Sequence, residues 1–122
     1  MFDHVKFGAS DYAASKAFFL QALAPLGVVA VSEGTPAYGV ELAQPDGNVS
    51  LCICQSDEKP AHLHVAFVAE NRGQVDAFHR AALEAGGKDN GAPGLRPQYH
   101  ANYYAAFVID PHGHNIELVC HE

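Results

Sequence analysis

The sequence predicts an α+β fold made of two copies of a βαβββ unit, and three observations carry that expectation. The chain repeats itself: an offset of 60 residues lays His4-Val-Lys-Phe-Gly-Ala9 over His64-Val-Ala-Phe-Val-Ala69, and nine of the 24 pairs from His4/His64 to Gly27/Gly87 are identical. Each copy opens with a period of two and continues with a helical period. The later part of each copy breaks into short apolar runs separated by Gly, Pro and Asp, the punctuation of strands and turns.

The elements follow in order. A strand is expected over Phe2–Ala9, where Val5 and Phe7 alternate with His4, Lys6 and Gly8. A helix is expected from about Asp11 to Leu23, with Ser10 as N-cap and Ala14, Phe18 and Ala22 four apart on its buried face. Three strands then complete the first copy: Val28–Ser32, Ala37–Ala43 and Asn48–Cys54. They are joined through Gly34-Thr-Pro36 and the Pro45-Asp-Gly47 turn. The stretch Gln55–Ala61 reads as a linker. The second copy repeats the plan, with a strand over His62–Ala69 and a helix over about Arg72–Ala85 stopped by Gly86-Gly87. A shorter strand near Lys88, a loop over Asn90–Ala101 carrying Pro93, Gly94 and Pro97, and strands Asn102–Ile109 and Asn115–Cys120 follow. The last two are joined by Asp110-Pro-His-Gly113. One domain spanning 1–122 is expected, with modules of about 1–55 and 62–122.

Composition narrows the function. With 48% hydrophobic and 17% charged residues the chain is globular in character. A net charge of −7 without a basic run argues against nucleic acid as a partner. No apolar run reaches the roughly 18 residues of a membrane helix, and no signal peptide is visible. The three Cys, two of them two apart in a strand, suggest no disulfide framework and favour a reducing, cytoplasmic location. Eight His in 122 residues is the unusual count, and it raises the question of a metal.

Strand parity selects candidate ligands. Val5 and Phe7, like Val65 and Phe67, should pack on the helices, leaving His4 and His64 on the other face at equivalent places in the repeat. An approximate twofold axis between the halves would let the two imidazoles converge. In Asn115-Ile-Glu-Leu-Val119, Glu117 opposes Ile116 and Leu118, and a buried carboxylate there needs a cation or another partner. His4, His64 and Glu117 make a mixed nitrogen and oxygen set suited to Zn, Fe, Mn, Ni or Co, with positions left open for substrate.

The double βαβββ repeat, the strand-opening His4-Val-Lys-Phe and His64-Val-Ala-Phe, and the closing Asp110-Pro-His-Gly-His-Asn-Ile-Glu117-Leu resemble the vicinal oxygen chelate superfamily. That group includes glyoxalase I, bleomycin-resistance proteins, fosfomycin-resistance enzymes and extradiol dioxygenases. The resemblance covers essentially the whole chain. It implies a glyoxalase-like fold with a cup-shaped mixed sheet, a homodimer, and a divalent metal on His4, His64 and Glu117. It also marks a departure: glyoxalase I has a fourth, acidic ligand on the last strand of its first half, where this chain has Cys52 or, one residue off, Leu51. The resemblance therefore implies the three-ligand arrangement of fosfomycin-resistance enzymes and dioxygenases.

Other residues are weighed for the cup. The run Arg96-Pro-Gln-Tyr99-His100-Ala-Asn-Tyr103-Tyr104 is dense in polar-tipped aromatics. Arg96, Tyr99 and Tyr103 are read as substrate contacts, and Tyr104 and His100 join Glu117 as catalytic candidates. The competing reading of that run is a dimer contact. Cys52 shares the Ser50 face and is a substrate-contact candidate against the plainer reading of a small apolar core residue. His62, one pleat from His64, is placed at the rim as a substrate contact, with replacement of His64 as ligand the alternative; His112 and His114 are read as solvated turn residues and His79 as a surface helix residue. Glu41 faces either the cup or solvent. The leading expectation is a metal-dependent enzyme acting on a small oxygen-rich substrate, by lyase, isomerase or detoxification chemistry. The alternatives are an Fe(II) extradiol-type dioxygenase and a non-catalytic small-molecule binding or resistance protein.

Overall fold

The computed structural model describes residues 2–47, 49–59 and 61–122. Two four-stranded sheets and two helices follow the βαβββ plan twice. Strand β1 (His4–Ala9) leads into α1 (Tyr12–Ala22), a 3-10 turn (Ala24–Leu26), β2 (Val29–Glu33), β3 (Val40–Ala43) and β4 (Ser50–Gln55). The second copy runs β5 (His64–Val68), α2 (Arg72–Glu84), β6 (Lys88–Leu95), β7 (Tyr104–Ile109) and β8 (Asn115–Cys120). The sheets have the matching orders β1-β4-β3-β2 and β5-β8-β7-β6, with the first pair parallel and the others antiparallel in each.

Period-two patterning decides what each sheet buries. Phe7, Leu51, Ile53, Val40 and Leu42 of the first sheet and Ile116, Leu118, Ala106 and Val108 of the second turn inward. They form one core with Phe18 and Phe19 of α1 and Val75, Phe78 and Ala82 of α2. The helices contact each other, so the two sheets share this core through their helix-facing sides. Their other faces stay open. This is the α+β tandem architecture that the repeat predicts.

Local differences have physical causes. Asp11, not Ser10, caps α1: its side chain accepts from the Ala14 backbone N–H at 3.1 Å, three residues on, where a cap must reach. Asn71 does the same for α2, accepting from Gln74 at 2.9 Å. The third strand begins at Val40 rather than Ala37, because residues 36–38 form a turn closed by Gly39 N–H donating to Thr35 O. Gly39 has φ +99°, and a Cβ there would stand 2.0 Å from Ile53 O, so only glycine fits. The expected start of β4 at Asn48 and the linker residue Pro60 lie outside the described residues. The segment read as a loop from Asn90 is strand as far as Leu95. It pairs with β7 through two register shifts, at Asp89/Gly91 and Gly91/Gly94. Those irregularities absorb the Gly and Pro that made the segment look like a loop.

Candidate functional site

The open face of the second sheet holds a connected polar group. Glu117 lies on β8 between Ala66 of β5 and Phe107 of β7, and it is only 3% exposed. A carboxylate so placed needs donors. Among the described residues it has two: Tyr103, just before β7, donates its hydroxyl to Oε1, and His64 Nε2 lies 2.8 Å from Oε2. Burial, then Glu117, pushes the Tyr103 hydroxyl up to about 12, so it stays protonated at neutral pH and acts as donor.

His64 is fixed from its other side. Asn115 sits opposite it across the β5–β8 pair, with Nδ2 2.7 Å from His64 Nδ1, and Asn90 Nδ2 donates to Asn115 Oδ1 at 3.2 Å. An amide NH2 can only donate, so His64 Nδ1 accepts and Nε2 carries the proton toward Glu117. The chain Asn90–Asn115–His64–Glu117–Tyr103 orders two of the three expected ligands. Parity could have found Asn115, which shares a face with Glu117 two residues away. Asn90 could not have been found, because it reaches the site only through the unexpected extension of β6.

The remaining candidates fall at different distances from this pair. His4 does not join it: it lies opposite Ser50 on the first sheet, half-exposed, with Nδ1 2.6 Å from Asp3 Oδ1. Among the described residues no three His, Cys, Asp or Glu side chains gather as a metal site. The expected convergence within one chain therefore fails, because the halves join through their helix sides and leave the two His-bearing faces apart. Tyr104 is also corrected as a catalytic candidate. It points to the helix side, where its hydroxyl donates to Asp76 Oδ1 at 2.6 Å and Arg72 covers its ring at 5.0 Å. One residue of parity separates it from Tyr103.

His100 is exposed and stacks on His121, with Nε2 2.8 Å from Nδ1 and its ring 5.3 Å from that of Tyr103. Tyr99 is exposed and rests 4.9 Å from the Tyr103 ring. Arg96 stacks over Phe107 at 5.3 Å, and Phe107 in turn lies 6.2 Å from the His64 ring. Cys52 is half-buried on the first sheet between Lys6 and Glu41, at the place Glu117 holds in the second, so Glu41 shares that open face. His62 borders a groove of about 290 Å³ with Gly8, Ser10, Asp57 and His112, which does not include His64 or Glu117.

The turn histidines differ from expectation. His114 is fully buried against Phe7, its Nδ1 accepting from Leu63 N–H at 3.0 Å. Burial holds its pKa below the usual 6.5, against the opposing pull of Asp110. His112 Nε2 accepts from Asp11 N–H, tying the closing turn to the start of α1.

The helix-backed sheets, the carboxylate buried on an open β-face and the imidazole beside it define a protein of the glyoxalase-like class. The sequence profile of the Glyoxalase/Bleomycin resistance protein/Dioxygenase superfamily matches residues 1–118, and the chain belongs to that family. No curated protein matches it significantly. Among solved structures, a glyoxalase/bleomycin resistance protein from Albidiferax ferrireducens is 28% identical with a TM-score of 0.82, over 100% of this chain and 99% of that one. Oxidase ChaP-H2 is 25% identical with a TM-score of 0.69, over 100% and 94%. A lactoylglutathione lyase from Agrobacterium tumefaciens, 17% identical with a TM-score of 0.71 over 98% and 92%, shares the fold.

Proposed function

We propose that the chain is a metal-dependent enzyme acting on a small, oxygen-rich substrate, with His64 and Glu117 as two ligands of a divalent ion. The observation that carries this reading is the 2.8 Å approach of His64 Nε2 to a buried carboxylate whose only other partner among the described residues is a hydroxyl. Two donor atoms about 3 Å apart suit adjacent ligands of one ion at bond lengths near 2.1 Å. The donors are an imidazole and a carboxylate, which suits Zn, Ni, Mn, Co or Fe. When bound, such an ion supplies Lewis-acid chemistry to neighbouring substrate oxygens.

The chain's own groups prepare the site. Tyr103 holds Glu117 by Oε1 and leaves Oε2 directed at His64. To ligate through Nε2, His64 must carry its proton on Nδ1, and a half-turn of the Asn115 amide then presents Oδ1 to accept it. Tyr99 walls the approach and His100 offers an exposed imidazole for proton exchange at the rim.

The third ligand in this reading is His4 of a second copy. The open face of the first sheet, which carries His4 and Cys52, is unfilled within one chain, and closing it over the open face of a partner's second sheet would complete a cup in a homodimer. Metal analysis of the untagged protein tests the proposal. Close to one divalent ion per chain is expected, falling at least tenfold in Glu117→Gln; no uptake of Zn, Ni, Mn, Co or Fe, and no change of Tm on adding them, would refute it. A second reading, Fe(II)-dependent ring-cleaving oxygenation, draws on the two-His, one-carboxylate set and on the likeness to an oxidase. Oxygen uptake by the iron-loaded protein with catechol decides between the two. Ligand binding that needs no metal and survives His64→Ala would instead favour a binding protein.

A further inference from the structure

Arg96 directly follows β6 and is held by backbone carbonyls as a cation with no counter-charge among the described residues. Its Nη1 donates to Gly94 O and its Nη2 to Ala92 O, both at 2.8 Å. Carbonyls orient a guanidinium but do not neutralise it, and no carboxylate lies within ion-pair distance of Arg96 among the described residues. Two of the five guanidinium N–H donors are thus used, leaving three without an acceptor among the described residues.

The surrounding backbone is shaped to hold it. The two register shifts of β6 curl residues 91–95 so that the carbonyls of Ala92 and Gly94 turn onto the guanidinium. A Cβ at Gly91 would stand 3.1 Å from Arg96 Nη2 and 2.9 Å from the Phe107 ring, and one at Gly94 would stand 3.2 Å from Nη1. Both glycines leave the space that the guanidinium occupies. Phe107 forms the floor beneath it at 5.3 Å, and the same ring lies 6.2 Å from that of His64.

We infer that Arg96 is the receptor for an oxyanion carried by the substrate, a carboxylate, phosphate or phosphonate, seated one aromatic ring away from His64. This rests on the proposed site and adds the substrate class: a small organic acid whose charged end docks on Arg96 while its other oxygens face His64 and Glu117. The planar fork suits a two-point hold on such a group, which fixes direction as well as affinity.

Titration of the metal-free protein with methylphosphonate, acetate and neutral acetamide, followed by the Arg96 Nε–H NMR signal and by calorimetry, is the test. A saturable shift with either anion and none with acetamide is expected, and the tighter anion identifies which oxyanion the site takes. Arg96→Gln should weaken that anion at least tenfold, and Arg96→Lys by less, since it keeps the charge but loses the fork. An Arg96 signal in the wild type that no anion moves overturns the inference, whether or not the variants fold. So does unchanged affinity in a folded Arg96→Gln. Anion binding that depends on Arg96 in a protein taking up no metal sustains this inference while removing the metal-dependent reading. Metal uptake without an anion site does the reverse.

Discussion

Each polar atom around Glu117 has a task that depends on its neighbour. Tyr103 and Tyr104 are adjacent tyrosines, yet one donates to Glu117 on the open face and the other to Asp76 on the helix side. Tyr103→Phe is expected to lower affinity for a divalent ion by about tenfold, because groups that orient a ligand typically contribute that much. A metal titration monitored by calorimetry, with Tm measured alongside, checks it. His114 makes a different prediction. The unfolded chain takes up a proton at this residue near pH 6.5, while the folded chain resists because the ring is buried. The stability it contributes is therefore complete above pH 6.5 and is lost as the pH falls below that value. Urea unfolding at pH 7.5 and 5.5 should show the drop in the wild type and a shallower one in His114→Phe.

At the scale of elements, end signals and bulges matter more than periodicity. The Asp11 cap contributes about 1 kcal/mol by the usual value of such bonds, so Asp11→Ala should lower unfolding stability by that amount in a denaturant titration. Phe18, fully buried where α1 meets the rest of the core, is a larger case: Phe18→Ala should cost about 3–5 kcal/mol by the same measurement. The strands around the site were legible because alternation is clear in His4–Ala9 and Asn115–Leu118, and because His64–Val68 repeats the opening of the first copy. Strand β6 was not. Lys88-Asp-Asn-Gly-Ala-Pro-Gly-Leu95 has no alternation, and it pairs only because β7 offers a partner and the bulges take up the mismatch. Arg96 owes its place to that pairing.

At the scale of the whole molecule, the question is which chain supplies the third ligand. In the proposed dimer His4 comes from one copy and His64 with Glu117 from the other. Mixing His4→Ala with Glu117→Gln protein, each inactive in metal binding alone, should then restore metal to about a quarter of the sites, because half of the dimers are mixed and each holds one intact site. Calorimetric metal titration of the mixture after subunit exchange checks this. No recovery in a verified mixed dimer would place His4 outside the shared site.

The repeat, the alternation and the closing Asn115-Ile-Glu117 segment determined the two-module α+β architecture and set His4, His64 and Glu117 on sheet faces turned away from the helices, because a period of two leaves each side chain little choice. Tertiary structure alone decided that His64 meets Glu117 while His4 stands apart, that Tyr103 rather than Tyr104 serves the carboxylate, and that Arg96 is locked beside Phe107. Those outcomes depend on register between strands and on which faces share the core, and both are set by pairing between separate elements, across 53 residues for His64 and Glu117 and 14 for Tyr103 and Glu117, that no local pattern records.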